Sequence, residues 1–390
     1  MISTLAVGHV RSLDGQEFSF TPGINVIHGP NGCGKTTVLE SVHLLSQGFS
    51  FRAKDLKELI AWNNDELILR GAFDCDGMPL VRALQVGRRK VTAKENGSAV
   101  RSVSAFFGRS PAVIMQPSDI ELLRGAPEIR RHWLDEILCF RSAANAGVLR
   151  NYKRVLQQRN QWLRQFKKEG SAVGGEDLFQ VLSRQLVELG ARLWMARIDL
   201  SAEISPVITA YYRRLSGGVD EITCDYRSSI LKELDALDAA DFMGDDELDS
   251  VVAENAADYN AGGVTEEMLR NAFAEKLADL EYVEKLQGVT MAGPHRDDLA
   301  LCASGYEMRS VGSQGQCRSA AIAMRFAAVD VASQHVGKPI LLLDDIFAEL
   351  DVNRRDAVAS LVREKDCQVL IATPQVEELP FKADEQIALK

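Results

Sequence analysis

The segment Gly29-Pro30-Asn31-Gly32-Cys33-Gly34-Lys35-Thr36 constrains this chain more than any other. It is a complete G-x-x-x-x-G-K-[ST] loop, which works only between a buried strand and a helix. Both flanks fit. Val26-Ile27-His28 is an apolar run that stops at glycine, and Val38, Leu39, Val42 and Leu45 follow at helical spacing. Glycines let the backbone turn successive N–H groups toward phosphate oxygens, and the next helix adds the positive end of its dipole. Lys35 would then bring a point charge to the β- and γ-phosphates, the Thr36 hydroxyl would ligate magnesium, and Thr37 would complete the cradle.

Kinases, small GTPases, helicases and ABC-type ATPases all share such a loop, so a second element has to discriminate. Ile340-Leu341-Leu342-Leu343-Asp344-Asp345 is an apolar run ending in two acids. A buried strand delivers Asp344 to the carboxyl end of the sheet, where the loop also lies. Asp344 would hold the magnesium shell and Asp345 would polarise the attacking water. About 300 residues separate Lys35 from Asp344, far more than compact phosphate-loop kinases or small GTPases need. That distance favours a head interrupted by an insertion.

The pattern between the motifs supports this. Strand-like stretches with turns (LILRGAFD, MPLVRALQV, AVRSVSAFF) fill residues 55–108, and Pro127 to about Ala210 reads as two long helices joined at GSAVGG. Residues 264–287 are helical again, and the last hundred return to α/β. The expected architecture is an α/β ATPase head assembled from residues 1–110 and 289–390. A mainly helical arm, 111–288, interrupts it. Within that arm, residues 232–258 hold ten acids and one base. They therefore carry most of the chain's net charge of −10, leaving a near-neutral remainder able to present a local basic face.

No apolar run approaches the roughly 20 residues that span a bilayer. The seven cysteines form no CxxC pair, and the six histidines show no metal-ligand spacing. A cytoplasmic protein with neither membrane association nor a disulfide framework is expected.

Ser313-Gln314-Gly315-Gln316 opens a helical stretch, placing a hydroxyl, N–H groups and a helix dipole where an anion can meet them. Taken with GPNGCGKTTVLESVHLLSQGFSFR, QPSDIELLRGAPEIRRHWLDEIL, YKRVLQQRNQWL, AGPHRDDLAL and PILLLDDIFAELDVNRR, it makes the chain resemble the RecF family of ABC/SMC-head ATPases along nearly its whole length. Departures are few: HVRSLDG lacks an Asn-Phe-Arg near the first strand, and Cys317 stands where a second glutamine is usual.

The resemblance implies a slow ATPase of recombinational repair, with ATP and Mg2+ as ligands. It implies an ATP-dependent homodimer on double-stranded or gapped DNA, with RecR and possibly RecO as partners. Gly29–Thr36 would bind ATP. Ser313, Gln314, Gly315 and Gln316 would form the signature acting on the partner protomer's nucleotide, and Ala348–Asp351 the D-loop. Gln116, just past the apolar AVIM strand, is either the Q-loop glutamine touching metal or water, or a solvated residue. Rival readings are another ABC-type DNA ATPase of the coiled-coil break-repair or defence kind, and a phosphotransferase acting on a small molecule. His295, Arg296, Asp297 and Asp298 offer either a phosphate or metal site or a structural junction. On the arm, Arg150, Lys153, Arg154, Arg164, Lys167 and Lys168 could align for phosphate contact, although charged helices are commonly just solvated.

Overall fold

In the computed structural model, strands that the sequence marks as continuously apolar form one parallel sheet. The structure describes residues 1–218, 221–232, 234, 263–377 and 379–390. The acidic stretch 232–258, apart from Lys232 and Leu234, lies outside the described residues. Five strands run in the order β14 (Glu385–Ala388), β3 (Ile24–His28), β13 (Gln368–Thr373), β12 (Ile340–Asp344) and β8 (Ala112–Met115). All pairings are parallel. Every residue of β8 and β13 is buried, as expected of a sheet covered on both faces.

A second, antiparallel sheet contains β2 (Gln16–Ser19), β1 (Ile2–Gly8), β4 (Glu66–Cys75), β5 (Met78–Gly87), β6 (Val91–Glu95) and β7 (Ser98–Ala99) in that order. Here burial alternates along β4 and β5, the mark of a half-solvated face. Helix α1 (Lys35–Gln47) packs against strands of both sheets, and Thr37 through Gln47 are all buried. Arg82 closes its C-terminal end, donating to the carbonyls of Leu45 and Ser46 at 2.8 and 3.1 Å.

The chain divides into two compact units. One takes the described parts of 1–120, 211–219 and 314–390, the other those of 121–210 and 220–313. The head is thus discontinuous, but its seams differ from 110/111 and 288/289. β8 pairs with β12, which keeps residues up to 120 with the head. After the junction at 289, β10 (Asp298–Ala303) pairs with β9 (Ile222–Arg227) and β11 (Tyr306–Glu307), which keeps that segment with the arm. The strand expected at AVRSVSAFF is also absent. Beyond β7, Val103–Phe106 forms a 3-10 turn that buries Phe106.

In the second unit the first expected long helix is two: α2 (Pro127–Arg141) and α3 (Ala143–Glu169). Ser142 between them is extended, and its side chain accepts the Ala144 N–H, a break made by a cap rather than by Gly or Pro. α4 (Gly175–Ser216) continues through Pro206, and α5 (Glu266–Gln287) follows the acidic stretch. Ionic pairs lie in this unit's interior. Arg159 and Glu284, 1% and 0% exposed, meet at 2.7 Å. Arg197 meets Asp135 at 2.7 Å, and Arg130 grips both Asp298 oxygens at 2.7 and 2.9 Å. Removing one partner of such a pair costs about 3–5 kcal/mol, because the other charge stays buried.

The Gly293–Asp298 segment belongs to this interior and is a structural junction. Tyr152 Oη and His295 Nδ1 are 2.7 Å apart, and Asp297 accepts from the Tyr226 hydroxyl and the Trp194 indole. Burial holds His295 down to about 4. The unfolded chain therefore takes up this proton first. Stability is unaffected above about pH 6.5 and is lost as pH falls from there toward 4, by up to about 3 kcal/mol. Asp297, pushed up by burial, acts in the opposite sense at the acid end. Denaturant unfolding followed by fluorescence of Trp162 and Trp194 should show a steep acid loss in the native chain and a shallower one in His295→Asn. Equal slopes would contradict the assignment.

Candidate nucleotide site

The phosphate loop joins β3 to α1 at the carboxyl end of the parallel sheet. Gly29, Gly32 and Gly34 all have positive φ. Two of them are closely packed: a Cβ at Gly29 would lie 2.4 Å from the Leu389 carbonyl oxygen, and one at Gly34, whose φ is 105°, would lie 2.5 Å from Leu13 Cδ2. Pro30, Asn31 and Gly32 are exposed, Cys33 and Lys35 half-buried, and Thr37 buried on the first turn of α1. Lys35 Nζ donates to the Gly29 and Pro30 carbonyls at 2.8 and 2.9 Å, so its ammonium lies across the mouth of the loop.

Thr36 and Asp344 converge from opposite ends of the sequence. The Thr36 hydroxyl donates to the Asp344 carboxylate, with oxygens at 2.8 and 3.1 Å. Sheet register produces this meeting: β13 lies between β3 and β12, with Thr373 beside His28 and Ala372 beside Asp344. Burial pushes the Asp344 carboxyl above the usual range. The Thr36 bond and the charges of Arg52 and Lys35 pull the other way. Asp345 adopts left-handed backbone at φ 51°, uncommon for a non-glycine residue, and its N–H donates to the Ala372 carbonyl at 2.9 Å. A hydroxyl and a carboxylate at one point form an oxygen donor set suited to a hard divalent cation with phosphate ligands.

Gln116 is one residue past Met115, the partner of Leu343 in the β8–β12 register. It is half-buried and lines a cleft with Asp119, Arg318, Ile346, Glu349 and Leu350. Ser313 and Gln314 are exposed at the start of α6 (Gln314–His335). Gly315 follows because the Arg354 guanidinium occupies the place of a side chain, 2.7 Å from a Cβ built there. Arg318 donates to the Glu349 carbonyl at 3.0 Å. Arg354, on α7 (Val352–Glu364), bonds Ser319 Oγ at 3.1 Å and the Asp351 carboxylate at 2.6 Å. The start of α6 is therefore fastened to the Ala348–Asp351 segment.

Several of these residues escaped the sequence reading. Glu40, 1% exposed, accepts from Arg11 at 3.1 Å and from Ser50, with Arg52 at 3.9 Å. Arg318 and Arg354 left only a weak trace, the latter three residues beyond an aspartate that caps its helix. Of the basic arm residues, Arg150, Lys153, Arg154, Arg164, Lys167 and Lys168 are all exposed on α3. Lys153 is 3.3 Å from Asp135, and Lys167 donates to the Gln287 carbonyl at 3.2 Å.

A family model described as an AAA domain matches residues 4–101. Over 379 residues the chain is 34% identical to the DNA replication and repair protein RecF of Geobacter sulfurreducens, covering 97% of this chain and 94% of the relative. The chain belongs to the RecF family. Its fold matches a solved structure of the recombination mediator protein RecF-ATP in the RecFOR pathway with a TM-score of 0.84. Identity there is 26%, with 100% of this chain and 95% of that one covered. An Smc head bound to the C-winged helix domain of ScpA matches at a TM-score of 0.52 and 15% identity, a likeness of fold. This RecF-family chain is an ABC-type ATPase of recombinational DNA repair. No helix among the described residues is long and apolar enough to cross a membrane.

Lys35 is the cation at the loop mouth, so Lys35→Ala should weaken ATP binding at least about a hundredfold, as expected for losing a charge-assisted phosphate contact. Circular dichroism should be unchanged. Titration with a fluorescent ATP analogue measures this, and native affinity in the folded variant would contradict the assignment.

Proposed function

We propose that the chain binds ATP with Mg2+, pairs with a second copy around two nucleotides, holds duplex DNA near gaps, and lets go on hydrolysis. The observation that carries this reading is the Thr36–Asp344 contact beside Lys35, together with an exposed serine-glycine signature at the start of α6. Thr36 and Asp344 would hold magnesium, whose charge offsets that of the β- and γ-phosphate oxygens. Gly29–Gly34 and Thr37 surround the phosphates, and Lys35 swings from its carbonyl partners to the anion. Asp345 orients and deprotonates the attacking water, and Gln116 holds that water or the metal shell. Ser313, Gln314, Gly315 and Gln316 present their donors to the nucleotide of the other copy, so neither protomer completes a site alone.

The arm supports a DNA role through one face of α3. Arg150, Arg154, Arg164 and Lys168 recur at intervals that keep them on a single stripe, about 27 Å long at 1.5 Å per residue. Such a stripe contacts phosphates without reading bases. Lys153 and Lys167 flank it with their charges partly committed. Arg130 and Arg159, buried in ion pairs, are unavailable to DNA. The RecFOR pathway named for the solved relative supports RecR and RecO as further partners.

Ser313→Arg should bind ATP within about twofold of the native affinity, because the signature serves the other copy's nucleotide. It should stay monomeric with ATP in light scattering and hydrolyse little. Normal ATP-dependent dimers of this variant would refute the trans arrangement.

Reversing Arg150, Arg154 and Arg164 to glutamate should lower affinity for all duplex sequences alike. The salt dependence should flatten by about one unit of slope per lost contact. A salt titration on plain and gapped duplex with ATP present reads this. An unchanged slope would move the DNA surface elsewhere.

A further inference from the structure

Asp119 is a buried carboxylate with its two oxygens committed to different parts of the head. It sits in the 3-10 turn Pro117–Ile120, directly after Gln116. One oxygen accepts the backbone N–H of Gln116 at 2.9 Å. The other accepts Arg325 Nη2 at 2.7 Å, from the middle of α6. The pair is nearly dry, with side chains 8% and 11% exposed. Nine to twelve residues earlier, at the start of the same helix, are the proposed signature residues Ser313–Gln316. The same cleft that Gln116 lines is closed by Arg318 of α6 and by Ile346 and Glu349 of the segment after β12.

A buried ion pair of this kind is rarely the most stabilising choice for a core; apolar replacements of similar size often do as well. What it supplies is geometry. α6 is a rigid element, and Arg325 is fixed to the same helix whose first turn is meant to meet the other copy's nucleotide. Gln116 is tied to Asp119 at both backbone groups: its N–H donates to the carboxylate and its carbonyl accepts the Asp119 N–H at 2.9 Å. A shift of α6 at Arg325 is therefore passed by the Asp119 carboxylate to the backbone of Gln116, the residue proposed to face the chain's own nucleotide.

We infer that Asp119 and Arg325 are positioning residues that set Gln116 according to the state of the signature helix, so that hydrolysis in one protomer answers to engagement of its signature by the other. This rests on the reading of Gln116 as the water- or metal-touching glutamine and of Ser313–Gln316 as the signature. No new chemical step is involved; the pair acts on turnover, not on nucleotide capture.

The test compares full-length Asp119→Asn, Arg325→Gln, the double neutral variant, Arg325→Lys and Gln116→Ala. Measured for each are kcat for ATP at saturation, the Kd for ATP, and the thermal midpoint. Asparagine still accepts the Gln116 N–H but loses the charge, and the double variant leaves no unpaired buried ion. The double variant should reduce kcat roughly tenfold with Kd within about twofold and little change in midpoint; Asp119→Asn alone should show the same kcat loss with a lowered midpoint, because it leaves Arg325 buried without its partner charge, and Arg325→Lys should recover part of the rate. In a Gln116→Ala background, adding Asp119→Asn should change kcat by less than about twofold, since both act through one group. Native kcat in Arg325→Gln and in the double variant, with Gln116→Ala slow, overturns the positioning role alone. So do losses that multiply in the Gln116→Ala background, or a Kd and midpoint that fall in step with kcat in the double variant. Native kcat in Gln116→Ala removes the reading of Gln116, and this inference with it.

Discussion

One hydrogen-bonded contact ties the molecule's chemistry to its fold: the Thr36 hydroxyl on the Asp344 carboxylate, across 308 positions of sequence. Neither residue can be placed without the parallel sheet. β13 must lie between β3 and β12 in the observed register for the phosphate loop and the acidic strand to end side by side. The burial that makes those strands continuous also removes water from Asp344, which pushes its carboxyl upward and leaves it short of positive charge. Lys35 and Arg52 supply part of that charge from the protein. A divalent cation held by the Thr36 and Asp344 oxygens is suited to supply the remainder.

The proposed signature lies apart from that contact, at the start of a separate helix. α6 presents Ser313 and Gln314 to solvent, while Arg318 and Arg354 bind its first turns to the segment that follows Asp345. The first turns of α6 and the segment after β12 are thus joined within one unit. The second unit holds its shape through buried pairs such as Arg159–Glu284 and Arg197–Asp135, while Arg150, Arg154, Arg164 and Lys168 are exposed on α3.

Much of this was legible in the sequence because the nucleotide elements are local patterns. A strand, a glycine turn and a helix N-terminus are contiguous in the phosphate loop, and four apolar residues before Asp344 mark a buried strand. The discontinuous head followed from the distance between them. What escaped was non-local. The arm seams depend on which sheet β8 and β10 join, and alternating residues at 99–107 read as strand although Phe106 is buried from a turn. The split at Ser142 has only a capping serine to announce it. Glu40, Asp119 and Arg325 are ordinary charged residues in sequence; their burial and pairing exist only after folding. His295 and Asp297, read as a candidate ligand cluster or a junction, turned out to be interior because Tyr152, Trp194 and Tyr226 close over them.

The central claim is that each nucleotide is completed by two copies of the chain. Mixing Lys35→Ala protein with Ser313→Arg protein tests it most directly. Each variant alone should hydrolyse almost nothing. In the mixed dimer one interface joins the two defects, and the other joins an intact phosphate loop to an intact signature. ATP turnover should therefore reappear on mixing, approaching half the native rate per dimer as mixed dimers form. Turnover that stays at the sum of the separate variants, with mixed dimers demonstrated by light scattering, would contradict the account.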